Sequence, residues 1–335
     1  AYTSFSNPMI IAILVIEVCI AVTVAVVFLF RRCGYCQFKK KTFPGEETLP
    51  LLESSQQQRE HVVSDVNRLN FSQLWSFLGK TQNNKNEAWL LDVVLNPDND
   101  LIVTDGQNFE LKKFSLQGQL KSKLSFKSRP HCLALTDGHC VTVTFPFQNV
   151  LQVIDTRKEM SVVSTIPFRS QCAGIGSMKD GRIIISNRES RSVIVCSKDG
   201  KELKELQEIK NDSSEETLFS KPAYVRVVDN TSFYVSDDRT QEVFVIRLEA
   251  GNTFTVKKQQ NVTDPRTSCV VYDMLLVAAS NIRLFTLDGK EAGEVILDGV
   301  QHVRGLAFSE YKQLLAITHR SEQGEKISVY QVMKH

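Results

Sequence analysis

Six short apolar segments of this chain end in small or polar residues and recur at a nearly constant interval. They are LIVTD, VTVTF, RIIIS, FYVSD, LLVAA and LAITH, centred on Val103, Val143, Ile185, Val235, Val277 and Ile317. The steps between centres are 40, 42, 50, 42 and 40 residues. A repeat near 40 residues built from strand, turn and strand specifies a ring of small sheets, a β-propeller. The repeats number six, so six blades are expected, and the long step holds an acidic insert, NDSSEE, expected to be a surface loop.

Each copy follows one plan. A first strand (WLLDVVL, HCLAL, YVRVV or VRGLAF) precedes a turn such as Asn96-Pro97-Asp98, Thr136-Asp137-Gly138 or Lys179-Asp180-Gly181. The repeated segment follows as a second strand. A polar link leads to a third: ELKKFSL, VLQVID, SVIVCS, EVFVIR, IRLFTL and KISVYQV. Glycine turns at Gln117-Gly118, Asp199-Gly200 and Asp288-Gly289 supply the positive φ of tight hairpins before a fourth strand. With LIVTDGQNFELKKFSLQGQ in blade one, KDGRIIISNRESRSVIVCSKDGK in blade three and DNTSFYVSDDRTQEVFVI in blade four, the chain resembles the NHL-repeat family of six-bladed propellers, including those of tripartite-motif proteins. The resemblance covers roughly residues 88 to 335 and is looser in blades two, five and six. Blade two departs from it, with TFPFQN where an acidic or polar end is usual.

The last blade reaches the C-terminus after its third strand, so its fourth must come from elsewhere. Propellers close by borrowing a strand, which removes sheet edges. SQLWSFLGK lies just before blade one, and residues 71–87 are read as the closing strand and lead-in. The competing reading is an amphipathic helix with Phe71, Leu74, Trp75 and Leu78 on one face.

Ahead of the propeller, Met9 to Phe30 is a run of 22 residues with one charge, Glu17. That is long enough to cross a hydrocarbon core of about 30 Å as a helix. Residues 1–8 form a short stub before it. Arg31, Arg32, Lys39, Lys40 and Lys41 follow, and no basic residue precedes it. Positive charge stays on the cytoplasmic side, which places the propeller in the cytosol. Residues 31–70 read as a basic and polar linker. Cys33 and Cys36 stand beside the membrane among cations and are candidates for S-acylation. Glu47, Leu51 and Leu52 resemble an acidic dileucine sorting signal read by clathrin adaptors, which points to the plasma membrane or endosomal system. Tyr35 to Phe38 resembles a tyrosine-based signal but lies close against the bilayer. The chain begins with Ala1, and a fragment of a longer protein is expected.

Charge and cysteine content exclude several classes. From Ala88 to His335 the acidic and basic residues balance, so nothing pulls this domain toward nucleic acid. RNA is the weaker expectation for a partner. One basic edge is conceivable, from Lys112, Lys113, Lys121, Lys123, Lys127 and Arg129, with a solvated strand face as the plainer alternative. The eight cysteines are irregularly spaced and sparse, which suits small core residues rather than a disulfide scaffold.

Catalytic signals are thin. Arg129-Pro130-His131-Cys132-Leu133 resembles the zinc-binding Pro-His-x-Leu stretches of the peptidyl-hydroxyglycine lyases, themselves six-bladed propellers, and His302 is read as its match in blade six. A zinc site wants a third ligand. Gln171, Cys172, Tyr224 and Ser268 lie near that level, and only Cys172 is a conceivable ligand. Asp92 is the one carboxylate inside an inner strand, and one carboxylate does not make a calcium site. No cofactor and no catalytic residue is therefore expected. The sequence reads as an all-β six-bladed propeller behind a single transmembrane helix, acting as a membrane-tethered protein-interaction platform. The alternatives are a lumenal metal-dependent lyase or hydrolase and an RNA-binding module. A lumenal propeller would expose sequons at Asn211, Asn230 and Asn261 to glycosylation.

Overall fold

The computed structural model describes residues 69–211, 214–249, 254–258 and 262–334. All of these belong to one unit, Gln58–His335. The expected span Met9–Phe30, the Cys33 and Cys36 pair, the Glu47, Leu51 and Leu52 motif, and Asn261 lie outside the described residues. Among the described residues no helix is long and apolar enough to cross a membrane.

Six four-stranded antiparallel sheets form the blades. Blade one is Leu90–Leu95, Leu101–Asp105, Glu110–Phe114 and Leu120–Ser125. Blade two is Leu133–Asp137, Cys140–Phe145, Val150–Asp155 and Ser161–Pro167. Blade three is Cys172–Ser177, Ile183–Asn187, Ser192–Cys196 and Glu202–Leu206. Blade four is Pro222–Val227, Ser232–Asp237, Glu242–Leu248 and Phe254–Lys258. Blade five is Ser268–Val271, Met274–Ala278, Ile282–Thr286 and Glu291–Val295. Blade six is Gln301–Ser309, Leu314–Ser321 and Gly324–Lys334, with Leu69–Leu78 added at its outer edge. The first strand of each blade touches the first strand of the next, and blade six returns to blade one, so these six strands line a central channel.

Leu69–Leu78 pairs antiparallel with Gly324–Lys334, from Leu69 opposite Lys334 to Leu78 opposite Lys326. It is a strand, not the amphipathic helix: Leu74 and Leu78, on one face of such a helix, are both exposed. A bulge between Gln73 and Trp75 re-aims the strand midway. Leu69 and Phe71 enter the core between blades five and six, and Trp75 and Phe77 pack on the core between blades six and one. Ring centroids of Phe77 and Phe114 lie 5.4 Å apart. The borrowed strand therefore ties the ring shut on both sides of blade six.

The apolar clusters lie between consecutive blades, so middle strands are covered on both faces. Leu101–Asp105, Glu110–Phe114, Ile183–Asn187 and Ser192–Cys196 are buried at every position. Hence these strands read as continuous apolar runs, while the outer strands alternate or are largely exposed. Gly118, Gly200 and Gly289 take φ of 90°, 85° and 98° in the third-to-fourth strand turns. The acidic insert is an added hairpin, Glu208–Asn211 paired with Ser214–Thr217, rather than an open loop.

Candidate functional site

The small polar residues that end the repeated segments do one job around the ring. Thr104 Oγ1 accepts the Asp92 N–H at 3.0 Å in its own blade and donates to His131 O at 2.9 Å in the next. Thr144 Oγ1 does the same between Cys132 N–H (3.0 Å) and Ala173 O (2.7 Å). Ser186 Oγ joins Gly174 N–H (2.7 Å) to Ala223 O (3.2 Å). Ser236 Oγ donates to Arg266 O at 2.7 Å, and Thr318 Oγ1 accepts Gly305 N–H at 2.8 Å. Blade five has Ala278 at this place and no hydroxyl. These staples satisfy backbone groups that the inner strands cannot pair among themselves. They also draw the blades close: a Cβ on Gly174 would sit 2.6 Å from Ala223 O, and one on Gly305 3.0 Å from Asp92 Cα.

The residue after the hydroxyl organises the next turn. Asp105 accepts N–H groups of Trp89, Gln107 and Asn108, Asn187 accepts those of Glu189 and Ser190, and Asp237 those of Ser220, Lys221, Arg239 and Thr240. These are blades one, three and four, where the resemblance to NHL repeats is best.

A central cavity of about 280 Å³ takes wall residues from blades one, two, three, four and six and from Thr267, just ahead of blade five. Two charged side chains of inner strands lie in its wall, Asp92 of blade one and Arg226 of blade four. Asp92 is buried, and both carboxylate oxygens are occupied: Oδ1 by Val93 N–H at 2.9 Å and Oδ2 by Leu133 N–H at 3.0 Å. Burial raises its pKa to about 7, against the opposing pull of the two backbone hydrogen bonds and of the Arg226 charge. Arg226 is half-buried, and its Nε has no hydrogen-bond partner among the described residues.

Above Asp92 toward one mouth sits His131. Its Nδ1 lies 3.2 Å from Ala173 O and 3.1 Å from Cys132 Sγ, and its ring stacks on Tyr224 with centroids 5.7 Å apart. Burial, and then the charges of Arg188, Arg266 and Arg129, outweigh the Ala173 hydrogen bond and pull the imidazole down to about 3, so it is neutral at physiological pH. Cys132 is pushed well above the usual thiol value, by burial first. At this mouth Arg129 stacks 4.7 Å over Trp89, Arg266 pairs with Asp264 at 2.8 Å, and Arg188 bonds Asp238 at 3.2 Å.

Several expectations change. The residue that precedes the stapled N–H is His131 in blade two and Arg304 in blade six, because Gly305 carries that N–H. His302 therefore stands two residues farther out, exposed, with φ of 48°, and does not match His131. Cys172 is buried with Sγ directed to Val150 O at 3.4 Å, and burial raises its thiol to about 11. Gln171 is exposed and Ser268 buried. Among the described residues no three His, Cys, Asp or Glu side chains come together in a way that could hold a metal. The five described cysteines are free thiols, four of them buried.

Two of the six residues read as a basic edge, Lys112 and Lys113, are buried between blades, while Lys121 and Lys127 are exposed and Lys123 and Arg129 partly so. Lys112 is fully buried, with Nζ bonded to Asp105 Oδ2 (2.6 Å), Asn84 Oδ1 (2.7 Å) and Gly79 O (2.9 Å). Burial raises the Asp105 carboxyl, but the Lys112 charge and the hydrogen bonds around it win, and it stays below its ordinary value. Lys113 is buried on the opposite face against Thr156 O (2.6 Å) and Asp100 (3.4 Å). Lys121 pairs with Asp100, Lys123 with Glu110 at 2.6 Å, and Arg129 caps Gly106 O at 3.1 Å. Only Lys127 of the six is left exposed without such a partner. The reason is geometric: a third strand is sandwiched between blades, so neighbouring lysines enter opposite interfaces instead of reaching solvent.

Blade two carries an apolar edge that sequence reading passed over. Its outer strand Ser161–Pro167, SVVSTIP, has no charged residue, and one side of it is unpaired. Val162 and Val163 are 44% and 62% exposed. By contrast, the outer strands of blades one, three, four and five carry Lys or Glu. The closing strand of blade six is also uncharged, but its buried Leu69 and Phe71 already serve the core. Phe147 is 75% exposed in the blade-two turn at the Pro167 end, where TFPFQN departs from the repeat.

No family model and no curated protein matches the chain. Solved structures do. The WD40 repeats of RRP9 align with a TM-score of 0.57 at 11% identity, over 82% of this chain and 100% of that one. The β-propeller domain of Myceliophteria thermophila Cps50 (Swd1) aligns at 0.51 and 10% identity, over 73% and 84%. Streptogramin B lyase aligns at 0.51 and 9% identity, over 78% and 98%. At such identities the likeness shows the propeller fold alone, and the group includes both WD40 domains and an enzyme.

Proposed function

We propose that the chain is a membrane-tethered protein-interaction platform with its propeller on the cytosolic side. The observation that carries this reading is the outer strand Ser161–Pro167. Exposed strand edges are normally blunted by charge, because their free N–H and C=O groups template pairing with another chain. This edge has neither Lys nor Glu, and it presents Val162 and Val163 near one end, with the exposed Phe147 in the turn at the other. Such an edge suits an extended polypeptide segment that adds a fifth strand, with backbone hydrogen bonds for affinity and side-chain contacts for selection. The 22-residue apolar run and the cations after it support the tether and its orientation. Glu47, Leu51 and Leu52 support sorting through clathrin adaptors, and Cys33 and Cys36 support acylation at the bilayer.

Two measurements test the reading. A glycosidase mobility shift paired with protease protection of intact membranes reports the side of the propeller. No shift and an accessible propeller are expected; a shift with protection refutes the cytosolic placement. A photo-crosslinking residue at Val163 of the full chain should yield discrete protein adducts that are absent from the same probe at exposed Tyr311. Val163→Lys should remove adducts formed through a second probe at Val162. Identical adducts from Val163 and Tyr311, or none, would refute the edge as the docking site.

A further inference from the structure

Arg226 is a half-buried cation in the wall of the central cavity whose Nε has no hydrogen-bond partner, and no salt bridge joins it to a carboxylate among the described residues. The other arginines of the ring each have a protein acceptor or counter-ion, Arg129 in Gly106 O, Arg188 in Asp238, Arg266 in Asp264 and Arg304 in Glu325, although the Nε of Arg188 also lacks a hydrogen bond. Asp92 shares the cavity and feels the Arg226 charge, but its oxygens accept Val93 and Leu133 N–H groups and it forms neither a hydrogen bond nor a salt bridge with Arg226. A guanidinium removed from water without acceptors is costly, and a planar, forked donor fits a carboxylate in two parallel hydrogen bonds.

We propose that the central channel is a binding site for a small organic monocarboxylate, with the Arg226 guanidinium as its anion anchor and the mixed polar and apolar channel wall around the rest of the ligand. The wall supports the second half of this assignment. Leu135, Val227 and Phe308 line the same cavity beside polar groups of the wall, so a small organic body meets hydrocarbon on part of its surface and hydrogen-bonding groups on the rest. A single charge is favoured because one guanidinium faces the space and the Asp92 carboxyl stands in the same wall. A dianion such as phosphate would bring excess negative charge against it. The volume of about 280 Å³ suits a small body rather than a chain segment. Lys179 and Asp229, both exposed at the rim formed by the first-to-second strand turns, bring one charge of each sign to the entrance, so Arg226 carries the attraction for an anion. This site is separate from the blade-two edge, and it does not rest on the docking role proposed for that edge.

The test is isothermal titration of the full chain in lipid nanodiscs, with empty nanodiscs as the blank. Acetate, hexanoate and benzoate are the carboxylate probes; benzamide and inorganic phosphate are the controls. One or more of the organic carboxylates should bind at a single site, and benzamide and phosphate should not. Arg226→Gln should weaken that binding by roughly 10- to 100-fold, the worth of a charge-assisted hydrogen bond. Arg226→Lys should keep part of it. Ser177→Phe adds a ring to the cavity wall from blade three, keeps Arg226 in place, and should abolish binding. If Arg226→Gln fails to fold, Ser177→Phe decides. The proposal is overturned if none of the three carboxylates binds, if benzamide binds as well as benzoate, or if binding survives in the folded variants.

Discussion

Asp92 makes stability depend on pH in a direction opposite to that of an ordinary structural carboxylate. Its pKa is raised from 3.8 to about 7 in the folded chain, chiefly by burial. Below the unfolded value both states hold the proton, and the group has no effect. Between the two values the unfolded chain ionises while the folded one keeps its proton, so stability falls as pH rises. Above the folded value the penalty is constant. At ~1.36 kcal/mol per unit, a shift of about 3 units gives a full penalty of about 4 kcal/mol. From pH 5 to pH 7 the loss assigned to this group alone is about 2 kcal/mol. Asp92→Asn cannot titrate. The substitution turns an amide N–H₂ toward one of the backbone donors, Val93 or Leu133, at a cost of about 1–3 kcal/mol that does not vary with pH. Urea unfolding of the wild type and of Asp92→Asn, at both pH values, separates the two effects. All other titrating groups cancel in the difference. The wild type should lose about 2 kcal/mol more than the variant between pH 5 and pH 7. Parallel profiles, within about 0.5 kcal/mol, would refute the reasoning, because the carboxyl would then be as well solvated when folded as when unfolded.

Two further outcomes follow from the interfaces between blades. Lys112→Met should cost about 3–5 kcal/mol in urea unfolding, because it leaves the buried Asp105 carboxylate without its cation, and adding Asp105→Asn should restore part of the loss. Thr144→Val keeps the shape but strands Cys132 N–H and leaves Ala173 O with His131 Nδ1 as its remaining side-chain partner, so it should cost about 1–3 kcal/mol and speed hydrogen exchange at the Cys132 amide.

The propeller was legible because its repeat is enforced twice. Thr104, Thr144, Ser186 and Ser236 carry a hydroxyl at one place and staple consecutive blades, Thr318 carries one there that holds Gly305 N–H within blade six, and Asp105, Asn187 and Asp237 accept the turn amides that follow. A small polar end to an apolar run is the trace of that requirement. The closing strand was legible from the missing fourth strand of blade six, although its alternation is broken by the bulge at Gln73 and Trp75. The solvent side was not legible where both faces of a strand are covered. Glu110-Leu111-Lys112-Lys113-Phe114 looks like an alternating surface strand, but all five residues are buried. His302 was misaligned with His131 because the inner strand of blade six starts earlier and its register slips between Gln301 and Gly305. Arg226 drew no notice inside YVRVV, yet a cation in an inner strand two residues from Tyr224 has one place to point, the channel, as Asp92 does in WLLDVVL.

That contrast separates charges that hold the ring from charges left for a ligand. Between blades, Lys112 meets Asp105 and Lys113 meets Asp100 and Thr156 O, so each buried cation is answered by oxygen atoms of the protein. Such pairs repay their desolvation only through these contacts and gain nothing from access to solvent. In the channel the pattern breaks. Asp92 is answered by backbone N–H groups and sits near neutrality in pKa, while the Nε of Arg226 is answered by nothing in the described chain. A structural role would have been served by turning Arg226 into an aliphatic residue like its neighbours Val225 and Val227, at lower desolvation cost. The unpartnered Nε of Arg226 is therefore the feature on which the proposed channel site rests, separate from the docking edge proposed on blade two.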